Sequence, residues 1–63
     1  MRDVLTLDYF DDESLRFSLN GVELMEVNHD YDGWKGMERI RAGFLKAAEV
    51  ADWKINVVGD VNV

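Results

Sequence analysis

A single stretch of this 63-residue chain, residues 33–53, has the periodicity of an α-helix, and the other segments have to pack against it. Apolar side chains recur along it at spacings of three and four, which places them on one stripe of a helix: Met37, Ile40, Phe44, Ala47, Ala48 and Ala51. Gly36 and Gly43 each weaken a helix by roughly 1 kcal/mol relative to alanine, so the helix needs tertiary contacts. Trp34 and Trp53 stand at its two ends and are expected to close the core there.

The part of the chain before the helix predicts a meander of antiparallel strands. Three segments alternate apolar and polar side chains as half-buried strands do: residues 2–10, 15–19 and 22–27. A three-residue loop at positions 11–13 sets Tyr9 opposite Leu15 and Leu7 opposite Phe17. A two-residue loop would turn core side chains to the wrong face, so the longer loop is preferred.

Asn20-Gly21 is the strongest local signal in the sequence. A type I′ turn needs positive φ at both central residues, and Asn-Gly tolerates that conformation best. Such a turn pairs Phe17 with Leu24 and extends the apolar face into the third strand. Met25 and Val27 are then expected on the opposite face, away from the helix.

Residues 55–63 alternate again, which gives the order β-β-β-α-β. We therefore predict an α+β fold, with residues 1–63 as a single small domain. A helix that crosses back over the sheet leaves the fourth strand parallel to the first. The handedness of such crossovers favours the strand order third, second, first, fourth, although pairing beside the third strand stays open. The sheet face away from the helix is expected to be open.

Charge is distributed unevenly along the chain. The net charge is −6; residues 1–32 carry a balance of −7 and residues 33–63 a balance of +1. An acidic strand half repels nucleic acid and attracts basic protein surfaces, although acidity also serves solubility. The chain has no cysteine and no apolar run long enough for a signal peptide or a membrane span. We expect a cytoplasmic protein, small enough for a homodimer to be an option.

The run from Asn28 to Gly33 places oxygen-bearing side chains at alternate positions before a glycine, as in the opening of a calcium-binding loop. Position twelve of such a loop would be Arg39, where a bidentate glutamate belongs. The favoured interpretation is that Asp30 or Asp32 caps the helix by accepting backbone N–H groups of its first turn. His29, the sole histidine, has no nucleophile near it in the sequence and is expected to be a loop residue.

Asp8, Glu38 and Asp60 fall on the first strand, the helix and the fourth strand. This arrangement resembles the opening of the RNase H-like fold, which implies acidic groups that hold two divalent ions for phosphodiester hydrolysis. That chemistry also needs basic residues for the phosphate backbone, whereas the strand half of this chain is acidic. The topology also resembles that of HicB-type antitoxins, small proteins that bind and neutralise a toxin.

We predict a protein-binding module that is not an enzyme and has no cofactor and no metal. Its partner is expected to be a larger basic protein that itself binds nucleic acid, whose groove the carboxylates would enter in place of DNA phosphates. Small acidic proteins of this loose type are common among inhibitors encoded by phages and plasmids. The expected partner-binding residues are Asp11, Asp12, Glu13, Glu23, Glu26, Asp30, Asp32, Phe10 and Met25. The alternative is an antitoxin-like or dimeric adaptor that binds through the open sheet face; a calcium module or a nuclease is less favoured.

Overall fold

Four strands and one helix account for nearly all of the chain that the computed structural model describes, residues 2–11 and 13–59. The elements are β1 (Val4–Asp11), β2 (Ser14–Leu19), β3 (Val22–Asn28), α1 (His29–Ala51) and β4 (Lys54–Gly59). The strands form one mixed sheet in the order β3-β2-β1-β4, in which β4 alone runs parallel to its neighbour. The predicted α+β fold, element order and strand order are confirmed.

The core lies between one face of the sheet and the apolar stripe of α1. Its buried members are Leu5, Leu7, Leu15, Phe17, Val27 and Ala48. The rings of Phe17 and Phe44 stack with their centroids 4.1 Å apart and their planes 12° from parallel. Phe17 has no accessible surface, and burying such a side chain contributes about 1.5–3 kcal/mol. The apolar face of the first two strands therefore packs against the apolar stripe of the helix, as predicted.

The first hairpin has the predicted register at its open end and a different one at its tip. Leu7 lies opposite Phe17, as expected, but the register shifts between Asp8 and Asp11, and Asp11 then pairs with Ser14. Only positions 12 and 13 remain between the strands, so the predicted three-residue loop is wrong. The β-bulge supplies the extra residue that the longer loop was meant to supply, and the core side chains keep their face.

The second hairpin turns at Asn20 and Gly21, whose φ values of 52° and 86° confirm the predicted positive-φ turn. Beyond it the register shifts by one residue, so that Phe17 pairs with Met25. The predicted pairing of Phe17 with Leu24 is wrong because Leu24 is the extra residue of a β-bulge. Val27 is consequently buried in the core and Met25 faces the helix side, contrary to the expectation for both.

α1 changes direction near its start. Gly33 has φ 70° and ψ 166°, a conformation open to glycine, and the regular helix follows it, close to the predicted start. Asn28, and not Asp30 or Asp32, caps the first turn: its side-chain oxygen accepts the Asp30 N–H at 2.8 Å. At the other end Asp52 adopts the left-handed conformation with φ 59°.

β4 follows the helix and runs beside β1, with Ile55 opposite Leu5 and Gly59 opposite Tyr9. Gly59 has φ +92°, and a Cβ atom there would overlap the Tyr9 carbonyl group. This position therefore requires glycine. The last predicted residues of the strand, 60–63, lie outside the described residues. Within the described ranges, no helix is both long and apolar enough to cross a bilayer.

Candidate protein-binding surface

The tip of the first hairpin packs against the start of α1, which joins two segments that are distant in sequence. The His29 backbone N–H donates to the Glu13 carbonyl oxygen at 2.9 Å. The Asn28 side-chain amide donates to the Ser14 hydroxyl at 2.7 Å, and Ser14 is buried. Since Asn28 also caps the helix, one side chain fixes both the helix start and its contact with the hairpin.

This contact gathers four of the predicted partner-binding carboxylates at one end of the sheet: Asp11, Glu13, Asp30 and Asp32. We call these four residues the acidic end. All four are exposed. Among the residues that the structure describes, no lysine or arginine forms an ion pair with any of them. Asp12, the fifth predicted residue of this group, lies outside the described residues.

Two carboxylates of the acidic end also hold the local backbone. One Asp11 oxygen accepts the Glu13 N–H at 2.7 Å, and one Asp32 oxygen accepts the Asn28 N–H at 3.0 Å. Each of these bonds uses one of the two carboxylate oxygens and leaves the negative charge in place. The same groups that shape the end of the sheet therefore also give it a negative field.

Glu23 and Glu26 belong to a different cluster, on the sheet face away from the helix. The Arg16 guanidinium lies 3.0 Å from the Glu23 carboxylate, 3.6 Å from that of Glu26 and 3.8 Å from that of Asp8. The same guanidinium lies over the Phe10 ring, 4.5 Å from its centroid. We call this set the Arg16 cluster. Its three carboxylates outnumber the one guanidinium, so the cluster keeps a negative charge, but the predicted carboxylates of β3 are paired with a cation and lie apart from the acidic end.

The open sheet face is therefore less apolar than the sequence suggests. Phe10 is half-exposed but covered on one side by Arg16. Met25, the other predicted apolar contact, is also half-exposed, yet it lies on the helix side of the sheet because of the bulge at Leu24. The structure does not bring Phe10 and Met25 together.

Glu13, His29 and Asp30 form the group of side chains best placed to hold a metal ion. One ligand atom from each lies within 4.8 Å of the others. The His29 Nδ1 atom is 3.8 Å from a Glu13 carboxylate oxygen and 3.9 Å from one of Asp30, distances too long for hydrogen bonds. Two of the three residues are exposed, as acidic groups without a metal commonly are.

The structure does not arrange the polar side chains as the calcium-loop and nuclease alternatives require. The side-chain oxygens of Asn28 and Asp32, which a calcium loop would direct at a cation, bond to backbone N–H groups instead. Asp8 is paired with Arg16 on one face of the sheet, whereas Glu38 is an exposed residue of the helix on the other face. Asp60, the third position of the nuclease set, is not among the described residues.

Two aromatic side chains adjoin the acidic end, and sequence reasoning did not assign them there. Tyr31, between Asp30 and Asp32 in the chain, is 92% exposed. Trp34 is 56% exposed and contacts the His29 ring, with the centroids 4.2 Å apart and the planes tilted by 35°, so the expectation that it closes the core is wrong. The placement of an aromatic residue between two aspartates was the available signal. Trp53, by contrast, packs against the core as predicted.

Comparison with known proteins finds no relative of this chain. No protein-family model, no curated protein and no solved structure matches the chain.

Proposed function

We propose that this protein is a non-enzymatic binding module whose acidic end docks on a basic surface of a larger protein. The observation that carries the proposal is the contact between the hairpin tip and the start of α1, which gathers the four carboxylates of the acidic end. Without that contact the same residues would be spread over two segments. The proposal includes a cytoplasmic location, which suits a chain without cysteine.

The acidic end combines charge with aromatic surface. Uncompensated carboxylates steer a positively charged partner towards the site and favour arginine and lysine side chains opposite them. An exposed tyrosine supplies apolar area and a hydroxyl at low conformational cost, which is why tyrosine is frequent among residues that dominate binding energy. Tyr31 is therefore the expected anchor, with the carboxylates around it as the charged rim.

The expected partner is a protein whose basic groove binds nucleic acid. Carboxylates on two adjoining segments present several negative charges to such a groove, as the phosphates of a nucleic acid would. Glu23 and Glu26 are left out of this surface because both form ion pairs with Arg16, whereas none of the described lysines and arginines pairs with the acidic end. The proposed interface is thus smaller than the set predicted from the sequence and is confined to one end of the sheet.

Charge reversal tests the proposal, with a matched change elsewhere as the control. The test variant is Glu13→Lys with Asp30→Lys; the control is Glu38→Lys with Glu49→Lys, which changes the net charge equally on exposed helix positions. Wild type and both variants are used as baits on bacterial lysate, and retained proteins are identified by mass spectrometry. The affinity of each candidate for the three baits is then measured at low and high salt.

A partner of the proposed kind binds wild type and the control alike, loses about tenfold or more in affinity for the test variant, and weakens as salt rises. Tyr31→Ala should weaken the same partner without changing the salt dependence. Equal loss in the test and control variants would show that only net charge matters. A partner indifferent to all of these changes would contradict the proposal.

A further inference from the structure

The two edges of the sheet are built differently. β3 has a β-bulge at Leu24 and carries Glu23 and Glu26, two features that natural edge strands use against pairing with other strands. β4, at the other edge, pairs with β1 in unbroken register over six residues, and Lys54 is its only charged side chain. Only the β4 edge is therefore suited to accept another strand.

β4 also leaves apolar side chains uncovered on both of its faces. Ile55 and Val57 point to the helix side, since they pair with the core residues Leu5 and Leu7. They are covered only in part: Ile55 is 40% and Val57 52% exposed. Among the described strands β4 has β1 as its one neighbour, so the N–H and C=O groups along its outer side have no strand partner there.

We propose that β4 pairs antiparallel with β4 of a second copy of this chain, which joins the two sheets into one of eight strands. Directly opposite residues of an antiparallel pair share a face of the sheet. The register that matches apolar to apolar sets Ile55 opposite Val57 of the second copy, and Val57 opposite Ile55. Asn56 then lies on the two-fold axis, facing itself on the side away from the helices.

Three properties of the chain favour a second copy as the occupant. First, the strip is self-complementary: Ile55 and Val57 are two residues apart on one face, so a two-fold axis through Asn56 buries both in each copy. Second, none of the carboxylates of the acidic end or of the Arg16 cluster lies on β4. Two β4 strands can therefore pair without bringing the acidic groups behind the net charge of −6 into the interface. Third, the part of the chain that the structure describes has a small core of six buried apolar residues, and association is a common way to extend such a core.

A sedimentation experiment with edge variants tests the pairing. The wild-type mass should rise from 7.3 kDa towards twice that value between about 10 μM and about 1 mM, the range expected of a small interface. Val57→Lys should remain monomeric, because it places a charge in the centre of the joint. Val22→Lys, at an exposed apolar position of the β3 edge, should dimerise as wild type does. Circular dichroism confirms that each variant is folded.

Cysteine cross-linking tests the register independently, in a chain that has no cysteine of its own. Asn56→Cys should form a disulfide dimer under mild oxidation, because the two positions face each other across the axis. Glu23→Cys, exposed on the same face at the β3 edge, should not. The proposal is overturned if wild type stays monomeric at every concentration, or if Glu23→Cys cross-links and Asn56→Cys does not.

A dimer formed through the helix is the other outcome that would overturn the proposal. Ile40, Gly43, Phe44 and Ala47 line an open apolar depression of about 250 Å³ on α1. If Ala47→Lys abolishes the dimer and Val57→Lys does not, the second copy sits there. Neither result tests the acidic end, because the charge-reversal experiment measures partner binding and not self-association. Each proposal can therefore be refuted without the other.

Discussion

Replacing Arg16 by glutamine should destabilise the protein by about 2 kcal/mol. Among the described residues, Arg16 is the one cation in contact with Asp8, Glu23 and Glu26, and its side chain is about one-third exposed. Half-exposed ion pairs contribute about 0.2–1 kcal/mol each, and a cation over an aromatic ring such as Phe10 contributes about 0.5–1 kcal/mol. Since the pairs share one guanidinium, their contributions are not additive, and about 2 kcal/mol is the expected total.

A loss of this size is large for a chain of 63 residues. Stability of about 0.05–0.15 kcal/mol per residue amounts to roughly 3–9 kcal/mol in total. A change of 1 kcal/mol moves the melting temperature of so small a domain by about 4–8 °C, so Arg16→Gln should melt roughly 8–16 °C below wild type. The deficit should shrink in about 1 M salt, which screens the repulsion between the carboxylates that remain.

Urea and thermal unfolding followed by circular dichroism, at one fixed protein concentration, measure the effect. Lys46→Gln is the control, because Lys46 forms an exposed pair with Glu49 and should lose less than about 0.5 kcal/mol. Adding Glu23→Gln and Glu26→Gln to Arg16→Gln should restore part of the lost stability by removing like charges. If Arg16→Gln is as stable as the control, or if the added changes destabilise it further, the argument that Arg16 holds the three carboxylates together is refuted.

Two further predictions concern the backbone, and unfolding by urea checks both. Gly59→Ala should lower the free energy of unfolding by about 2 kcal/mol or more, because the positive φ is strained for alanine and its Cβ meets the Tyr9 carbonyl group. Gly43→Ala is the control: its Cβ has open space, so it should stabilise the helix by about 1 kcal/mol. Asn28→Ala should cost about 2–3 kcal/mol by removing a helix cap and leaving the buried Ser14 hydroxyl without a partner. Asn28→Asp should lose under about 1 kcal/mol, because its carboxylate keeps the capping oxygen and can accept the Ser14 O–H. A stable Gly59→Ala variant would contradict the proposed strain at Gly59. Equal losses in the two Asn28 variants would contradict the role of its capping oxygen.

The fold followed from the sequence because its main signals are periodic and agree with one another. Alternation in the first two strands, the positive-φ turn at Asn20-Gly21 and the apolar stripe of the helix all require the same buried face. The crossover rule then placed the fourth strand beside the first, and the structure decides against the alternative pairing beside the third. Each of these signals extends over several residues, so no single position decided the outcome.

The two β-bulges could not be predicted, because each depends on a single residue. Leu24 and Met25 are both apolar, so either could pair with Phe17 and keep an apolar side chain on the helix side of the sheet. Burial of Val27 opposite Leu15 decides between the two registers, and that contact is visible only once the strands are assembled. The error for Met25 and Val27 follows directly from this ambiguity, since a shift of one residue reverses every face beyond it.

The same bulge determines which carboxylates remain available to a partner. By shifting β3 by one residue, it sets Glu26 opposite Arg16, and Glu23 reaches the same guanidinium from the other side of the bulge. Both carboxylates are thereby paired with one guanidinium within the sheet, whereas, among the described residues, the acidic end has only His29 beside its carboxylates. A sequence reading that treats all carboxylates of the strand half as equivalent therefore overestimates the binding surface. The pairing of β3 with β2, and not the number of acidic residues, limits the proposed interface to the hairpin tip and the start of α1.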